Sequence, residues 1–354
     1  VDLVATSIEE TPEIASAELM NAMMRDYGRA TRRAVRRYLA NDHPAPFLDE
    51  LVADYPGRGG KMMRPSICIA NARVFGGRLE EAVRSAAAIE LLHNGLLIHD
   101  DIQDGSELRR GRPTLHALHG VPLAINAGDA LMLLALRPLL DTLRVHDRDL
   151  GQQVLDVTLT MARQTAEGQA LELGWRDRGA LNLGEADYLT MVLKKTAWLA
   201  TIWPAQLGLL IGSGGRVDPE RVVRFGFFLG AAFQIEDDLR NLTDDPGYGK
   251  ERHGDLFEGK RTLMLIHARR ACSAAKRREI DRFLALPRDR RTPAEAAWLA
   301  ALMDHCGSLH YARGVAAAMA GAATHEFAVT YGDLPASPDR AFIAGLVPWV
   351  FTHS

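Results

Sequence analysis

Two short acidic strings carry the most specific chemistry in this sequence. Asp100-Asp101-Ile102-Gln103-Asp104 ends the apolar run Leu91 to Ile98, and Asp237-Asp238-Leu239-Arg240-Asn241 ends a second run, Phe225 to Ile235. On a helix, residues three and four apart share a face, so Asp100 and Asp101 would each lie beside Asp104 and repel it unless a cation intervened. A hard cation such as magnesium takes oxygen ligands, keeps several waters, and is commonly shared between one or two carboxylates and a substrate phosphate. Acids at the end of one apolar helix can mean only that the helix has reached solvent. A second copy weakens that reading. Facing each other across a bundle, two such ends would wall the mouth of an apolar cavity, as metal sites in helical bundles are built. The cavity would suit a substrate with a polyanionic head and an apolar tail.

Basic residues cluster near the acids. Lys61 and Arg64 lie three apart in Gly59-Gly60-Lys61-Met62-Met63-Arg64-Pro65, Arg109-Arg110 follow the first acidic string, Lys194-Lys195 precede Thr196, and Lys250, Lys260 and Arg261 follow the second string. Guanidinium forks bind phosphate oxygens in pairs, whereas ammonium groups act as point charges. Each pair alone would read as solvated surface; beside the acids, they outline a site for more than one phosphate group. His116 and His119 have no zinc signature around them and read as structural or surface residues, and Met62 and Met63 as packing residues.

The elements that must position these groups are helices. Aromatics make up 6% of the chain, alternating strand patterns are scarce, and Ala, Leu, Arg and Glu fill Leu79 to Gln103, Leu123 to Leu143, Gly151 to Leu173, Glu185 to Ile211 and Pro219 to Leu242. Several are apolar around more than one face, which marks buried helices. The breaks are short and rich in Gly and Pro. The expected fold is therefore all-α, a single large helical bundle around a central apolar cavity over residues 1–354, with residues 1–45 and 289–354 as peripheral helices. Thr196 to Gly215 holds no charged residue but includes Pro204, Gln206 and Ser213, so it reads as a buried, kinked core helix and not a membrane span.

With 42 Lys and Arg against 45 Asp and Glu, the formal net charge of −3 excludes a chain whose main trade is coating nucleic acid or an anionic membrane, and any basic site must be local. Cys68, Cys272 and Cys306 are far apart and form no CxxC pair, which fits a reducing cytoplasm. The acidic N-terminal stretch lacks the order of a signal peptide, and no stable membrane insertion is expected.

The strings quoted above resemble the trans-polyprenyl diphosphate synthases, the family of farnesyl and geranylgeranyl diphosphate synthases. Leu97-Ile98-His99-Asp100-Asp101 running on to Arg109-Arg110-Gly111-Arg112-Pro113-Thr114 carries the likeness, as do Gly128-Asp129, Gly168-Gln169, Lys195-Thr196, Phe233-Gln234-Ile235, Gly249-Lys250 and Gly259-Lys260-Arg261-Thr262. The resemblance implies a homodimeric all-α enzyme that condenses isopentenyl diphosphate onto an allylic diphosphate (dimethylallyl, geranyl or farnesyl) by ionisation, condensation and elimination. It implies three magnesium ions on the allylic diphosphate, held by Asp100, Asp101, Asp104, Asp237 and Asp238, with Asn241 standing where many members carry Asp. Arg109, Lys195 and Lys260 would grip that diphosphate, and Lys250 would be a further substrate-binding residue. Lys61, Arg64, His93 and Arg110 would bind isopentenyl diphosphate, and Thr196 and Gln234 would lie near the developing cation. The chain ends without the basic residue of several relatives, which puts closure of the tail over the second substrate in doubt.

Product length in the family is set by side chains just before the first acidic string. Gly95 and Leu96 there offer no aromatic plug, while Leu91 and Leu92 lie one helical turn deeper, about 5.4 Å away. These four positions predict a twenty-carbon product, geranylgeranyl diphosphate, although Gly95 could equally serve close helix packing. Two other readings compete. A class I terpene cyclase would use the same magnesium logic without a second diphosphate pocket, and a noncatalytic partner subunit could afford to lose acids that this chain keeps.

Overall fold

The computed structural model describes residues 14–40, 42–146, 148–243 and 251–353. Lys250 lies outside them. The described chain is a helical bundle in the order α1 (Ala17–Leu39), α2 (Asp49–Gly57), α3 (Met63–Val74), α4 (Leu79–Asp104), a two-stranded hairpin β1 (Leu108–Arg109) and β2 (Arg112–Pro113), α5 (Leu115–His119), α6 (Val121–Leu134), α7 (Leu136–Val145) and α8 (Arg148–Asp177). Next come α9 (Glu185–Val192), a π-helical segment (Leu193–Ile202), α10 (Trp203–Ser213), α11 (Val223–Leu242), α12 (Gly254–Glu258), α13 (Leu263–Ala271), α14 (Ala274–Ala285), α15 (Pro293–His305), α16 (Ser308–Tyr331) and α17 (Pro338–His353).

The uncharged stretch Thr196 to Gly215 is the buried centre, as its composition predicts: every residue of α10 is buried. The kink is a change of helix type. Ten residues of π-helix run into α10 where Pro204, in its first turn, has no N–H to donate. Gly168 of α8 lets that segment approach, since a Cβ there would stand 2.2 Å from the backbone nitrogen of Lys195.

The region after residue 289 is not peripheral, which corrects the expectation. Alanines 312, 316, 320 and 323 form the flat buried face of α16, and Phe342, Ile343 and Leu346 of α17 are fully buried in the main core. Sequence reading undervalued α16 because alanine at helical spacing is a weak hydrophobic signal, yet it permits close packing. The N-terminal helix α1 likewise buries Met20, Met24, Tyr27 and Val35, so only its outer face is peripheral. The hairpin was not expected from sequence. Its two-residue turn places both Arg110 (φ 54°) and Gly111 (φ 73°) in the left-handed region, as a type I′ turn requires.

Candidate active site

The two acidic helix ends meet. Asp100 and Gln103 of α4 and Asp237 and Asp238 of α11 line one cavity of about 680 Å³, together with Lys195, Thr196, Gln234 and Lys260. Below this polar mouth the walls are apolar: Leu92 and Leu96 from α4, Met132 from α6, Met161 from α8, Leu199 and Phe233. A second cavity of about 440 Å³ adjoins it, lined by Lys61, Arg64, Glu90, His93, Arg110 and Trp349. Arg64, His93, Leu97, Arg109 and Phe233 border both.

At the end of α4 the carboxylates already hold cations. Lys195 lies 3.4 Å from Asp100 and also pairs with buried Glu172. Asp104 pairs with Arg176 and lies 3.4 Å from Lys260, which in turn touches Asp255 and Glu258. Burial pushes the ammonium of Lys195 down, but Asp100 and Glu172 outweigh it and leave the group raised. Lys260 is raised in the same way against Asp104, Asp255 and Glu258. Both are therefore charged at neutral pH. Gln169 donates to Asp100 (3.2 Å) and to Gln103 (2.6 Å), fixing the rim of the cavity.

Asp101 departs from its expected role. Its side chain is fully buried, accepts from the Arg109 Nε (2.9 Å) and the Tyr55 hydroxyl (2.5 Å), and does not line the cavity. It orients Arg109, whose guanidinium reaches within 3.7 Å of Asp100. The physical reason is helical rotation: the step of about 100° from Asp100 turns Asp101 toward α2 and the hairpin, where Tyr55 and Arg109 hold it.

On α11 a relay of neutral groups runs to Asp238. The Thr196 hydroxyl donates to Gln234 Oε1 (2.7 Å), and Gln234 Nε2 donates to Asp238 (2.6 Å). The Tyr188 hydroxyl donates to the other oxygen of Asp238 (2.8 Å). Burial, with the charge of Asp255, holds the Asp238 carboxyl well above the ordinary carboxylate range. Asn241 also departs from expectation: it is buried, and its Oδ1 accepts from the backbone N–H of Asp255 (3.1 Å), clamping the entry to α12 instead of facing the cavity.

The second cavity is arranged for an anion. Burial, then the positive charges of Arg64, Arg110 and Arg109, push the His93 imidazole well below its ordinary value, so it is neutral at pH 7. Burial pushes the Arg64 guanidinium down to about 10. Arg64 Nε and His93 Nδ1 are buried without a protein partner, an arrangement that a bound anion and its water would satisfy. Arg110 is held by the Gly59 carbonyl, and the hairpin behind it is braced by Arg58, which donates to the carbonyls of Arg109 (3.2 Å) and Pro113 (2.8 Å). Lys61 sits over the ring of Trp349, 5.6 Å from its centroid. The last helix thus reaches the second pocket through an aromatic side chain.

Two of the four length-setting positions need correction. Leu92 and Leu96 line the cavity, whereas Leu91 is fully buried in a separate cluster with Val35, Val52 and Tyr55. Gly95 faces α6: a Cβ there would stand 2.8 Å from Met132 and 2.9 Å from the Gly128 carbonyl. Close packing, the competing account of Gly95, is what the structure shows. Sequence reasoning also missed Tyr188, Glu90, Glu172, Glu258, Arg176, Met132, Met161 and Trp349, whose places depend on contacts between distant helices. Only Glu172, four residues past the quoted Gly168, had a usable signal: a lone acid facing Lys195 across two apolar helices.

A magnesium ion fits this donor set: Asp100, Asp237 and Asp238 line the cavity and supply hard oxygens, and a cation would favour the ionised form of Asp238 that its surroundings disfavour, while buried Asp104 stands behind them against Arg176 and Lys260. Among the described residues no group of three or more His, Cys, Asp or Glu side chains is arranged to hold a metal ion by itself.

Comparison with known proteins agrees with this geometry. A short chain isoprenyl diphosphate synthase of Methanothermobacter thermautotrophicus is 34% identical over 298 residues, 83% of this chain and 87% of that one. A geranylgeranyl diphosphate synthase of Sulfolobus acidocaldarius is 37% identical over 239 residues, 67% of this chain and 71% of its own. The crystal structure of a polyprenyl synthase from Caulobacter crescentus CB15, complexed with calcium and isoprenyl diphosphate, matches with a TM-score of 0.84 at 27% identity, covering 96% of this chain and 98% of that one. Residues 45–303 match the Polyprenyl synthetase family model, and the chain belongs to that family of trans-prenyltransferases.

Proposed function

We propose that this protein joins isopentenyl diphosphate to an allylic diphosphate and releases geranylgeranyl diphosphate. The observation that carries this reading is the pair of adjoining cavities with Arg64, His93 and Arg109 on their common border. A cyclase acting on one finished allylic diphosphate has no use for the second, cation-lined pocket. The larger cavity takes the allylic substrate, with its diphosphate among Asp100, Asp237, Lys195 and Lys260 and its tail against Leu92, Leu96, Met132 and Met161. The smaller takes isopentenyl diphosphate on Lys61, Arg64 and Arg110, with neutral His93 as a hydrogen-bonding group.

Magnesium, three ions by family resemblance, would be held by Asp100, Asp104, Asp237 and Asp238 and would supply Lewis-acid neutralisation of the leaving diphosphate. Lys195 and Lys260, both kept charged by their carboxylate neighbours, offset the remaining negative charge as the allylic carbon–oxygen bond breaks. Thr196 and Gln234, locked to each other, present oriented dipoles near the cation in place of mobile water. The apolar walls exclude water that would quench it.

A twenty-carbon product is supported by the lack of a Phe, Tyr or Trp side chain among the walls contributed by α4, α6 and α8, whose apolar bulk comes from Leu92, Leu96, Leu97, Met132, Met161 and Leu173. Homodimerisation is supported by an exposed apolar face on consecutive elements: Val121, Leu123, Ile125 and Leu133 of α6, Leu136 and Leu140 of α7, and Leu155 and Leu159 of α8 are 41 to 68% exposed. Val121–Thr142 also passes a length-and-hydropathy test for a membrane span, but the helix is interrupted at Ala135, between α6 and α7. Three free cysteines support a reducing, cytoplasmic setting.

The deciding experiment incubates purified protein with magnesium, isopentenyl diphosphate and each allylic starter, and measures product mass. Condensation gives a twenty-carbon diphosphate only when both substrates are present. Product from an allylic diphosphate alone would replace this reading with cyclisation.

A further inference from the structure

The strongest charge asymmetry outside the active site lies on α1. This helix carries Arg25, Arg29, Arg32, Arg33, Arg36 and Arg37 against two acids, Glu18 and Asp26, in a chain whose net charge is −3. At 3.6 residues per turn the six arginines fall within roughly 140° of arc. The opposite face, with Met20, Met24, Tyr27, Thr31, Ala34 and Val35, is buried in the protein. Arg25, Arg29, Arg33, Arg36 and Arg37 are exposed. Only Arg29 has an ion pair among the described residues, with Asp26 at 2.5 Å, and both of those side chains are more than 60% exposed. An outward stripe of unmatched guanidinium groups costs self-repulsion and does nothing for the core beneath it.

Beyond the helix, the loop into α2 exposes Phe47 to 84%, the most exposed large apolar side chain among the described residues. Its φ of 67° is strained for a residue with a Cβ. Exposed guanidinium groups, with a protruding aromatic ring on the segment that follows the same helix, match the two layers of a lipid interface: phosphate headgroups, then the acyl boundary.

We propose that the arginine face of α1 docks this protein reversibly on an anionic phospholipid surface, with Phe47 entering the headgroup layer. The occupant is a membrane surface and not a nucleic acid, because a protruding Phe has no base to stack on in a duplex but gains from burial at a bilayer. The inference also rests on the proposed reaction, whose product is a diphosphate with a long apolar tail that partitions into lipid. Docking would release that product where it dissolves. The helix does not insert, since its apolar face is already committed to the core.

The test is co-sedimentation of the full chain with vesicles of phosphatidylcholine alone and of phosphatidylcholine with phosphatidylglycerol, which needs no substrate. Prenyl transfer with soluble substrates is assayed in parallel, so failure of docking and failure of the proposed reaction are separate results. Wild type should bind the anionic vesicles, ignore the neutral ones, and be released by high salt. Each basic side chain near an anionic leaflet strengthens binding by about five-fold, so glutamine at Arg25, Arg29, Arg33 and Arg36 should weaken it by at least about a hundred-fold. Lysine at the same four positions should retain most of it, and Phe47→Ser should weaken it by several-fold. Turnover should be unchanged in all three variants. The proposal is overturned if wild type binds neither vesicle, if the glutamine variant binds like wild type, or if duplex RNA competes wild type off the vesicles.

Discussion

At the end of α4 each carboxylate of the acidic string has a cation beside it: Asp100 has Lys195, Asp101 has Arg109, and Asp104 has Arg176 and Lys260. At the end of α11, Asp238 is held by neutral donors, Tyr188 and Gln234, with Asp255 adding to its negative surroundings. The second aspartates of two strings that look like copies in the sequence thus sit in different surroundings. The α4 end is assembled before substrate arrives, and its lysines can pass from carboxylate to phosphate. Asp238 is a buried carboxyl whose surroundings favour its neutral form, so an incoming cation gains by drawing out its ionised one. Binding of a metal–diphosphate unit is therefore expected to draw on both ends for different reasons.

The largest effect that would test this contrast is Asp237→Ala. It removes a carboxylate from the cavity wall, and kcat should fall by about 10³-fold in a magnesium-dependent assay with both substrates saturating. A loss under tenfold would break the contrast at its α11 end.

Asp101→Asn comes next. This residue acts through Arg109, so the expected loss of activity is about 10- to 100-fold, the range for groups that orient a ligand without touching it. Stability should also fall, by about 3 kcal/mol in denaturant unfolding, because buried Arg109 loses its nearest carboxylate and keeps only Asp100 at 3.7 Å. A loss as large as that of Asp237→Ala, with stability untouched, would return Asp101 to the cavity wall.

How far the sequence led is clearest on α4, where one rotation accounts for most of the corrections. The residue types, the opposing acids and the helical class were legible, because carboxylates ending apolar runs, and glycine-opened basic strings, are local patterns. Which face each residue occupies was not. Leu92, Leu96, Asp100 and Gln103 form one stripe at spacings of three and four and face the larger cavity, while His93 and Leu97 form another on the border of both cavities and Glu90 faces the smaller. Leu91, Gly95, Ile98 and Asp101 fall between them, against other helices. A helix buried on nearly all sides has almost no amphipathic signal to fix its rotation. The same limit hid Met132 and Met161, which reach the cavity from α6 and α8.

That account of α4 is sharpened by a matched pair of substitutions. Gly95→Ala should cost about 1–3 kcal/mol of stability by overpacking against α6, without shifting product length. Met161→Phe, on the cavity wall, should shorten the product with a smaller loss of stability. Product mass and thermal unfolding measured on both variants decide the matter: a shortened product from Met161→Phe with none from Gly95→Ala supports the relocated cavity wall, and the reverse pattern removes it.

The smallest effect concerns the neutral donors of the α11 end. Tyr188 is fully buried, and burial, then the charges of Asp238 and Asp255, hold its hydroxyl protonated at any working pH, so it can only donate to Asp238. Tyr188→Phe keeps the ring and deletes that donor, worth about 1.5–3 kcal/mol when the acceptor is charged and less while Asp238 is neutral. The sign of its effect separates two descriptions of this helix end. If Tyr188 positions an ionised Asp238 for the metal, kcat should fall several-fold and the magnesium concentration needed for half-maximal rate should rise. If Tyr188 serves only to anchor α9 to α11, unfolding stability should fall while the magnesium dependence stays where it was. The contrast between the two acidic ends requires the first outcome, because only a carboxylate held by neutral donors and awaiting a cation would report their loss in its affinity for that cation.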